Sequence, residues 1–349
     1  MLGFGRDVPK PDASRGYAVL PGIQHLRAIA AFLVVFYHIT ASVAREGGQG
    51  VVFVLGAVGV DMFFVLSGFV LAMVVSRAEA VDGGFFMRRF ARIAPLYYLM
   101  TLGLFVLALA APGLLNTAHA DTAHLLRSLL FLPTGDAAGG LQPILGLGWT
   151  LNYEMFFYAL IAVTTRFFAD NRLNAVILVL AAFVALGAVA PSSSVWVRFY
   201  TDPIILEFAL GILVFRLVRL NRFTDRLALV SLVIGAAMLI LGPLPESGMP
   251  RLLWWGLPAA LVVAGSIRAL EFDNAWLRAL GDWSYSTYLL HVYVIQAAVK
   301  LILPAAGQDM PSVLATALVS LPLIVVGSAA LYRLIEMPAM RALLDAGRE

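Results

Sequence analysis

Long apolar runs alternate with short polar clusters along this chain, a pattern typical of a protein that crosses a membrane many times. The runs are roughly 20 residues long, which is the length that a helix needs to cross ~30 Å of hydrocarbon. Helices rather than strands are therefore expected to span the membrane. The predicted fold is all-α, a polytopic membrane bundle of about ten transmembrane helices at residues 24–44, 51–75, 95–112, 149–166, 173–190, 203–218, 227–242, 252–268, 284–303 and 312–333.

Composition agrees with a membrane protein. Of the 349 residues, 61% are hydrophobic and 13% are charged, whereas soluble domains are about 45–50% apolar. The absence of cysteine excludes disulfides, thiolate metal sites and an acyl thioester on a cysteine side chain. Residues 1–20 lack the apolar segment and cleavage site of a signal peptide, so we expect a mobile cytoplasmic tail there.

The distribution of basic residues predicts the orientation, because lysine and arginine accumulate on the cytoplasmic side. With the N-terminus inside, only five of the 24 basic residues lie outside, namely Arg45, Arg127, Arg198, Arg251 and Lys300. Both termini are therefore expected in the cytoplasm, with one transmembrane domain at 21–340 and a C-terminal tail at 341–349. The basic residues do not form one patch, so no nucleic-acid partner is expected.

Ionisable side chains inside the spans carry most of the functional information, because each costs at least ~2.5–3.5 kcal/mol in hydrocarbon. In the first span, Arg27 and His38 are eleven residues apart, which places them on one helix face about 16 Å from each other. We expect both to project into a hydrated tunnel. A histidine that only hydrogen-bonds a neighbouring helix explains His38 equally well, but the aligned Arg27 favours a function.

The second span places Asp61 near the middle of the membrane and Ser67 about two turns nearer the cytoplasm. Asp61 is a candidate partner for His38 or for an arginine, or one half of an ion pair that only fixes helix packing. Glu207 in the sixth span is, like Glu154 in the fourth, a carboxylate that an aromatic belt leaves unexplained, and its role stays open between structural and functional. Gly68 next to Ser67 is explained by close helix approach.

Arginines cluster at the cytoplasmic edge of the third span, at Arg88, Arg89 and Arg92. Arg88 and Arg92 are expected to share one helix face. Guanidinium groups suit the phosphates of coenzyme A. Orientation and lipid phosphates also account for such a cluster.

Three further segments carry candidate binding residues. Aromatic, amide and carboxylate side chains that suit a sugar begin the fourth span at Trp149, Asn152, Tyr153 and Glu154, although an interfacial aromatic belt also explains Trp149. A polar stripe in the ninth span comprises Ser284, Tyr288 and His291, and is expected to face protein or a cavity. Glu336 and Pro338 close the last span, where Glu336 is a candidate partner for a cytoplasmic arginine.

These motifs, in this order, resemble the acyltransferase family 3 membrane proteins over nearly the whole chain, and are most similar to the exopolysaccharide-acetylating, succinoglycan-type branch. The resemblance implies acetyl transfer from cytoplasmic acetyl-CoA to a glycan hydroxyl, with Arg27 and His38 as the hallmark pair. The family's arginine motif falls on Arg88, Arg89 and Arg92, and its E-x-P ending falls on Glu336 and Pro338. Some members carry an appended extracytoplasmic domain, whereas this chain ends soon after the last span.

The resulting hypothesis is a membrane O-acetyltransferase of the bacterial inner membrane. Its donor is acetyl-CoA, its acceptor a cell-surface polysaccharide or a lipid-linked precursor, and polysaccharide-synthesis machinery is a candidate partner. His38 acts as general base or carries the acetyl group, since its ordinary pKa near ~6.5 leaves it mostly neutral. The assigned roles are catalysis for Arg27, His38 and Asp61, donor binding for Ser67, Arg88, Arg89 and Arg92, and acceptor binding for Trp149, Asn152, Tyr153, Glu154, Tyr288 and His291.

No metal and no permanently bound cofactor is expected. Three alternatives remain at this point: a proton-coupled or sugar transporter, a non-catalytic scaffold of a polysaccharide export complex, and the same chemistry on another acceptor such as peptidoglycan, lipopolysaccharide or a small hydrophobic metabolite. Against a transporter, no pair of related halves with interrupted helices is visible in the sequence.

Overall fold

Helices account for the secondary structure of this chain, as the apolar pattern predicts. The computed structural model describes residues 20–47, 51–77, 84–111, 113, 121–134, 142–168, 171–190, 192–220, 223–245, 247–270, 272–306 and 310–346, and within these ranges it contains no strand. The predicted tail at 1–20 lies outside the described residues except for Leu20, as do residues 347–349 of the C-terminal tail.

Fifteen α-helices follow one another along the described part of the chain. Their bounds are α1 Pro21–Arg45, α2 Val58–Arg77, α3 Gly84–Ala110, α4 Thr122–Leu129, α5 Gly148–Phe167, α6 Arg172–Val189, α7 Val195–Tyr200, α8 Leu206–Arg219, α9 Asp225–Leu241, α10 Gly248–Arg251, α11 Leu257–Ala269, α12 Ala275–Asp282, α13 Ser284–Ala306, α14 Met310–Leu331 and α15 Met337–Ala346. Single π-helical turns at Leu252–Gly256 and Tyr332–Glu336 join α10 to α11 and α14 to α15 without a break.

Six helical segments of the described chain are long and apolar enough to cross a membrane, which confirms a multi-pass membrane protein. They contain α1, α2, α3, α6, α11 and α14. The other four predicted spans also form helices, α5, α8, α9 and α13. That these four cross the membrane as well, and that the total is ten, stays a prediction.

The second helix lies at the centre of the bundle. It packs against α1, α5, α8 and α11, and 78% of its most apolar window is buried, whereas the figure is 22% for α6 and for the segment that contains α14. The outward faces of α6 and α14 are apolar and suit contact with lipid, as the exposed Leu178 and Leu318 illustrate. Burial therefore separates a central helix, which contributes to the candidate site, from peripheral ones.

Helices α2 and α8 approach each other closely, and their contact depends on two glycines. A Cβ atom added at Gly68 would be 2.1 Å from the carbonyl oxygen of Phe208, and one added at Gly211 would be 2.1 Å from that of Val65. Small residues let backbones approach this closely in membrane bundles. The structure therefore confirms the explanation of Gly68 as a site of close helix approach.

Two segments differ from the sequence prediction. Helix α3 begins at Gly84, ahead of the arginine cluster, because arginine and the apolar residues around it favour helix, so the cluster and the predicted span form one continuous helix. At the other end, residues 341–346 of the predicted tail continue helix α15. Both differences extend helices beyond the apolar windows that define the spans.

Candidate active site

A cavity opens between α1, α2, α3, α5 and α13. It holds about 1050 Å³ of space without protein atoms, a figure that includes open solvent at its mouth. Its polar wall is formed by Arg27, Ser67, Arg89, Arg92, Thr150, Glu154, Tyr158, Ser284, Tyr285 and Tyr288, and apolar residues such as Ile23, Phe63 and Val70 line the rest. The cavity brings together residues that are far apart in the sequence.

Three arginines give one part of this wall a positive charge. Arg27 comes from α1, and Arg89 and Arg92 come from α3. Arg88 is exposed and does not contribute to the wall. The predicted pair at Arg88 and Arg92 is therefore replaced by Arg89 and Arg92, three residues apart on one helix face.

A short hydrogen-bond chain holds Arg27 in place. Its guanidinium donates to Oε1 of Gln24 at 3.2 Å, and Nε2 of Gln24 donates to Oδ1 of Asp282 at 2.6 Å. Burial raises the pKa of the Asp282 carboxyl above its ordinary value, and the charges of Arg27 and Arg92 oppose this rise. Gln24 and Asp282 are functional candidates that the sequence did not indicate.

The carboxylate of Glu154 joins two helices at the cavity wall. The hydroxyls of Ser67 and Tyr158 both donate to its Oε1, each at 2.5 Å. Glu154 also lies close enough to Arg89 and Arg92 to interact electrostatically with them. Ser67 and Glu154, predicted to bind donor and acceptor respectively, thus meet in one cluster.

The other three candidate acceptor residues of the fourth predicted span pack outside the cavity wall. Tyr153 donates its hydroxyl to the carbonyl of Phe199 at 2.9 Å and stacks on that ring, with 3.9 Å between ring centroids. Trp149 meets Tyr153 edge to face. Asn152 is buried, and its amide atoms have no hydrogen-bond partner among the described residues. Of the four predicted acceptor residues in this segment, the cavity wall includes only Glu154.

The polar stripe of α13 is buried in protein, as its spacing predicts. Ser284 and His291 are fully buried, and Tyr288 is 7% exposed. The Tyr288 hydroxyl lies 2.9 Å from Oγ1 of Thr150, and its ring lines the cavity. Ser286, two residues from both Ser284 and Tyr288, donates to Glu336 at 2.6 Å. Glu336 also lies close enough to Arg27 and Arg92 to interact with their charges.

His38 lies beyond the end of the cavity rather than in its wall. Its Nδ1 is 3.3 Å from Nε2 of His291, and the His291 ring centroid is 5.9 Å from that of Tyr288. Tyr288 therefore connects the cavity to the two histidines. The expectation that Arg27 and His38 share one tunnel is met for Arg27 alone. His38 itself remains partly exposed.

Asp61 pairs with an arginine that the sequence did not indicate. Both of its carboxylate oxygens accept from Arg251, at 2.9 and 2.8 Å, and the pair is separated by 190 residues. Of the alternatives for Asp61, the structure shows the ion pair with an arginine, and the described partner is Arg251 rather than His38. Glu207 is fully buried beside this pair, close enough to Asp61 and Arg251 to interact electrostatically with both.

No group of three or more histidine, aspartate or glutamate side chains in the described part of the chain is arranged to hold a metal ion. The ligand that the cavity suits is an anion with an extended apolar part, because arginines stand beside apolar walls.

Comparison with known proteins gives this site a context. A family model described as an acyltransferase domain matches residues 20–333. The chain belongs to this acyltransferase family. The match confirms the predicted family and the enzyme class, and favours both over the transporter and scaffold alternatives.

Several relatives of this acyltransferase are known. It is 35% identical over 302 residues to the exopolysaccharide production protein ExoZ of Rhizobium meliloti, an alignment that covers 83% of this chain and 91% of ExoZ. It is 27% identical over 361 residues to the acyltransferase MdmB of Streptomyces mycarofaciens, covering 93% and 92% of the two chains. A shorter match, 30% identical over 155 residues, covers 40% of this chain and 22% of the putative peptidoglycan O-acetyltransferase YrhL of Bacillus subtilis. No solved structure matches the chain.

Proposed function

We propose that this acyltransferase transfers an acetyl group from cytoplasmic acetyl-CoA to a hydroxyl of a cell-surface polysaccharide or its lipid-linked precursor. The observation that carries the proposal is the arrangement along α1. Arg27 stands in the cavity wall with Arg89 and Arg92, and His38 lies about 16 Å farther along the same helix face. The proposal includes a location in a bacterial inner membrane, with both termini in the cytoplasm.

The donor enters with its phosphates at Arg89, Arg92 and Arg27, because guanidinium groups bind phosphate through several hydrogen bonds. Its pantetheine arm extends along the apolar part of the cavity, past Ser67 and Glu154, toward Tyr288. Hydroxyl and carboxylate groups there suit the amides of the arm. The thioester reaches His38 when Tyr288 moves aside.

His38 then acts as general base. It takes the proton of the acceptor hydroxyl as the oxygen attacks the thioester carbonyl carbon. The carbon–sulfur bond breaks, and the departing thiolate takes the proton back from His38. The step yields an O-acetyl ester and free coenzyme A, and the imidazole returns to its neutral form.

The relatives support the choice of acceptor class. The chain covers 91% of ExoZ, an exopolysaccharide production protein, but only 22% of YrhL, a putative peptidoglycan O-acetyltransferase. A polysaccharide or its lipid-linked precursor is therefore the first acceptor to test.

The test uses the full chain in lipid nanodiscs with acetyl-CoA and a lipid-linked glycan. Free coenzyme A and O-acetyl groups, detected by NMR, should both accumulate. His38→Ala should reduce the rate on the order of 10²-fold or more, the usual contribution of a general base.

A matched control is His25→Ala. His25 is a buried histidine on the same helix, and its Nδ1 lies 3.0 Å from the carbonyl of Leu270. This variant loses a comparable interaction but should keep most of the activity. Equal losses in the two variants, or acetylation that persists without His38, would refute the role of His38. Absence of any acetyl transfer by the unchanged protein would refute the proposed function.

A further inference from the structure

Two histidine rings from different helices meet behind Tyr288. His38 belongs to α1 and His291 to α13, and their ring centroids are 4.8 Å apart in an edge-to-face arrangement. His291 is fully buried, whereas His38 remains partly exposed. Only one of the two imidazoles is therefore placed to reach a reactant without a further movement of the bundle.

Backbone carbonyls determine which nitrogen of each ring carries a proton. Nδ1 of His38 lies 2.9 Å from the carbonyl oxygen of Val34, and Nδ1 of His291 lies 3.1 Å from that of Thr287. A carbonyl oxygen only accepts hydrogen bonds, so each Nδ1 must be the donor. In a neutral imidazole, the other nitrogen, Nε2, then holds a lone pair.

The same assignment gives the contact between the rings a direction. Nε2 of His291 is an acceptor, and it lies 3.3 Å from Nδ1 of His38, which carries a proton. The Nδ1 proton of His38 is thus shared between Val34 and His291. The opposite direction would turn a lone pair of each Nδ1 toward a carbonyl oxygen, which repels it.

This arrangement also selects the base of the pair. Nε2 of His38 gains a proton without breaking any of these hydrogen bonds, and two acceptors then stabilise the imidazolium through its Nδ1–H. A proton on Nε2 of His291 would instead face the N–H of His38. The lone pair that remains available for catalysis is therefore Nε2 of His38.

We propose that His291 is a positioning residue, which holds His38 in the tautomer with its proton on Nδ1 and leaves Nε2 to take the proton of the acceptor hydroxyl. The inference rests on the proposed function, because it assigns an atom to the base of that reaction. It differs from the acceptor-binding role that the sequence suggested for His291. The principle is that of a partner group that orients a catalytic imidazole and fixes its tautomer.

The direct test is ¹⁵N NMR of the full chain in nanodiscs, with ¹⁵N-labelled histidine. The chain has five histidines, so the spectrum contains few signals. His38 is assigned by the signals lost in His38→Gln. We expect a protonated, pyrrole-type Nδ1 and a pyridine-type Nε2 for His38, and a pyridine-type Nε2 for His291. A proton on Nε2 of His38 would overturn the proposal, whatever the activity.

The kinetic test compares two amides at position 291. The amide oxygen of Gln lies near the place of Nε2 and keeps the acceptor, whereas the shorter Asn reaches only the place of Nδ1. His291→Gln should retain kcat within about tenfold, whereas His291→Asn and His291→Ala should lower it on the order of 10²-fold with little change in KM. Gln296→Ala is the control, because it removes another hydrogen bond between α13 and α1, from Gln296 to Ser42 at 3.3 Å, without touching His38.

The outcomes distinguish the positioning role of His291 from the proposed acetyltransferase function. Equal losses of kcat in the Gln and Ala variants, or an equal loss in Gln296→Ala, would show a structural role and overturn the positioning role. Failure of acetyl transfer in the unchanged protein would overturn the proposed function, while the NMR spectrum would still report the tautomer.

Discussion

The contact between α2 and α8 provides a sharp test of the fold, through Gly68→Ala and Gly211→Ala. Each added Cβ would lie 2.1 Å from a backbone carbonyl oxygen, of Phe208 and Val65 respectively. Real Cβ atoms essentially never come closer than 3.0 Å to such an atom. Because the obstacle is backbone in both cases, the two helices must move apart by roughly 1 Å to accept either methyl group.

The expected cost is the difference between two effects. Overpacking of this kind costs about 1–3 kcal/mol, whereas alanine in place of glycine within a helix contributes ~0.5–1 kcal/mol of stability. We expect overpacking to dominate, so each single variant should lose about 1–2 kcal/mol. The double variant should lose less than the sum of the two, since one separation of α2 from α8 makes room for both methyl groups.

Unfolding of the purified protein in detergent, followed by circular dichroism against denaturant, measures these differences. Gly103→Ala is the matched control, because a Cβ added at Gly103 meets nothing within 4 Å. It should be neutral or slightly stabilising. Unchanged stability of Gly68→Ala, or strictly additive losses in the double variant, would refute the reasoning.

Two further predictions concern the ion pair and the arginine cluster. Asp61→Ala leaves the guanidinium of Arg251 without its buried partner and should destabilise the protein by ~3–5 kcal/mol. In the same unfolding assay, Asp61→Ala combined with Arg251→Met should recover part of that loss. Additive losses of the two substitutions would contradict a direct pair. Arg92→Ala should raise the KM for acetyl-CoA about tenfold, equivalent to ~1.4 kcal/mol of lost binding, while Arg88→Ala, an exposed position on the same helix, should change it less than about twofold. Equal effects of these two variants in steady-state kinetics would contradict the assignment of the cavity wall.

The sequence by itself indicated that this acyltransferase lies in a membrane, that its fold is helical, and which of its residues are candidates for chemistry. Apolar runs of span length predict helices because unpaired backbone groups are costly in lipid, and that rule acts locally along the chain. The cost of an ionisable group in hydrocarbon likewise singles out Arg27, His38 and Asp61 without knowledge of their neighbours. The spacing of the polar residues in α13 likewise predicted their burial, because a polar helix face is costly when it faces lipid.

Tertiary structure decided which of these groups meet. The partner of Asp61 is 190 residues away, and His38 meets His291 across 253 residues. Helical periodicity assigns a residue to a face but leaves the rotation and depth of neighbouring helices open. Those are decided where backbones pack closely, as at Gly68 and Gly211, and the same packing brings Arg89 rather than Arg88 to the cavity.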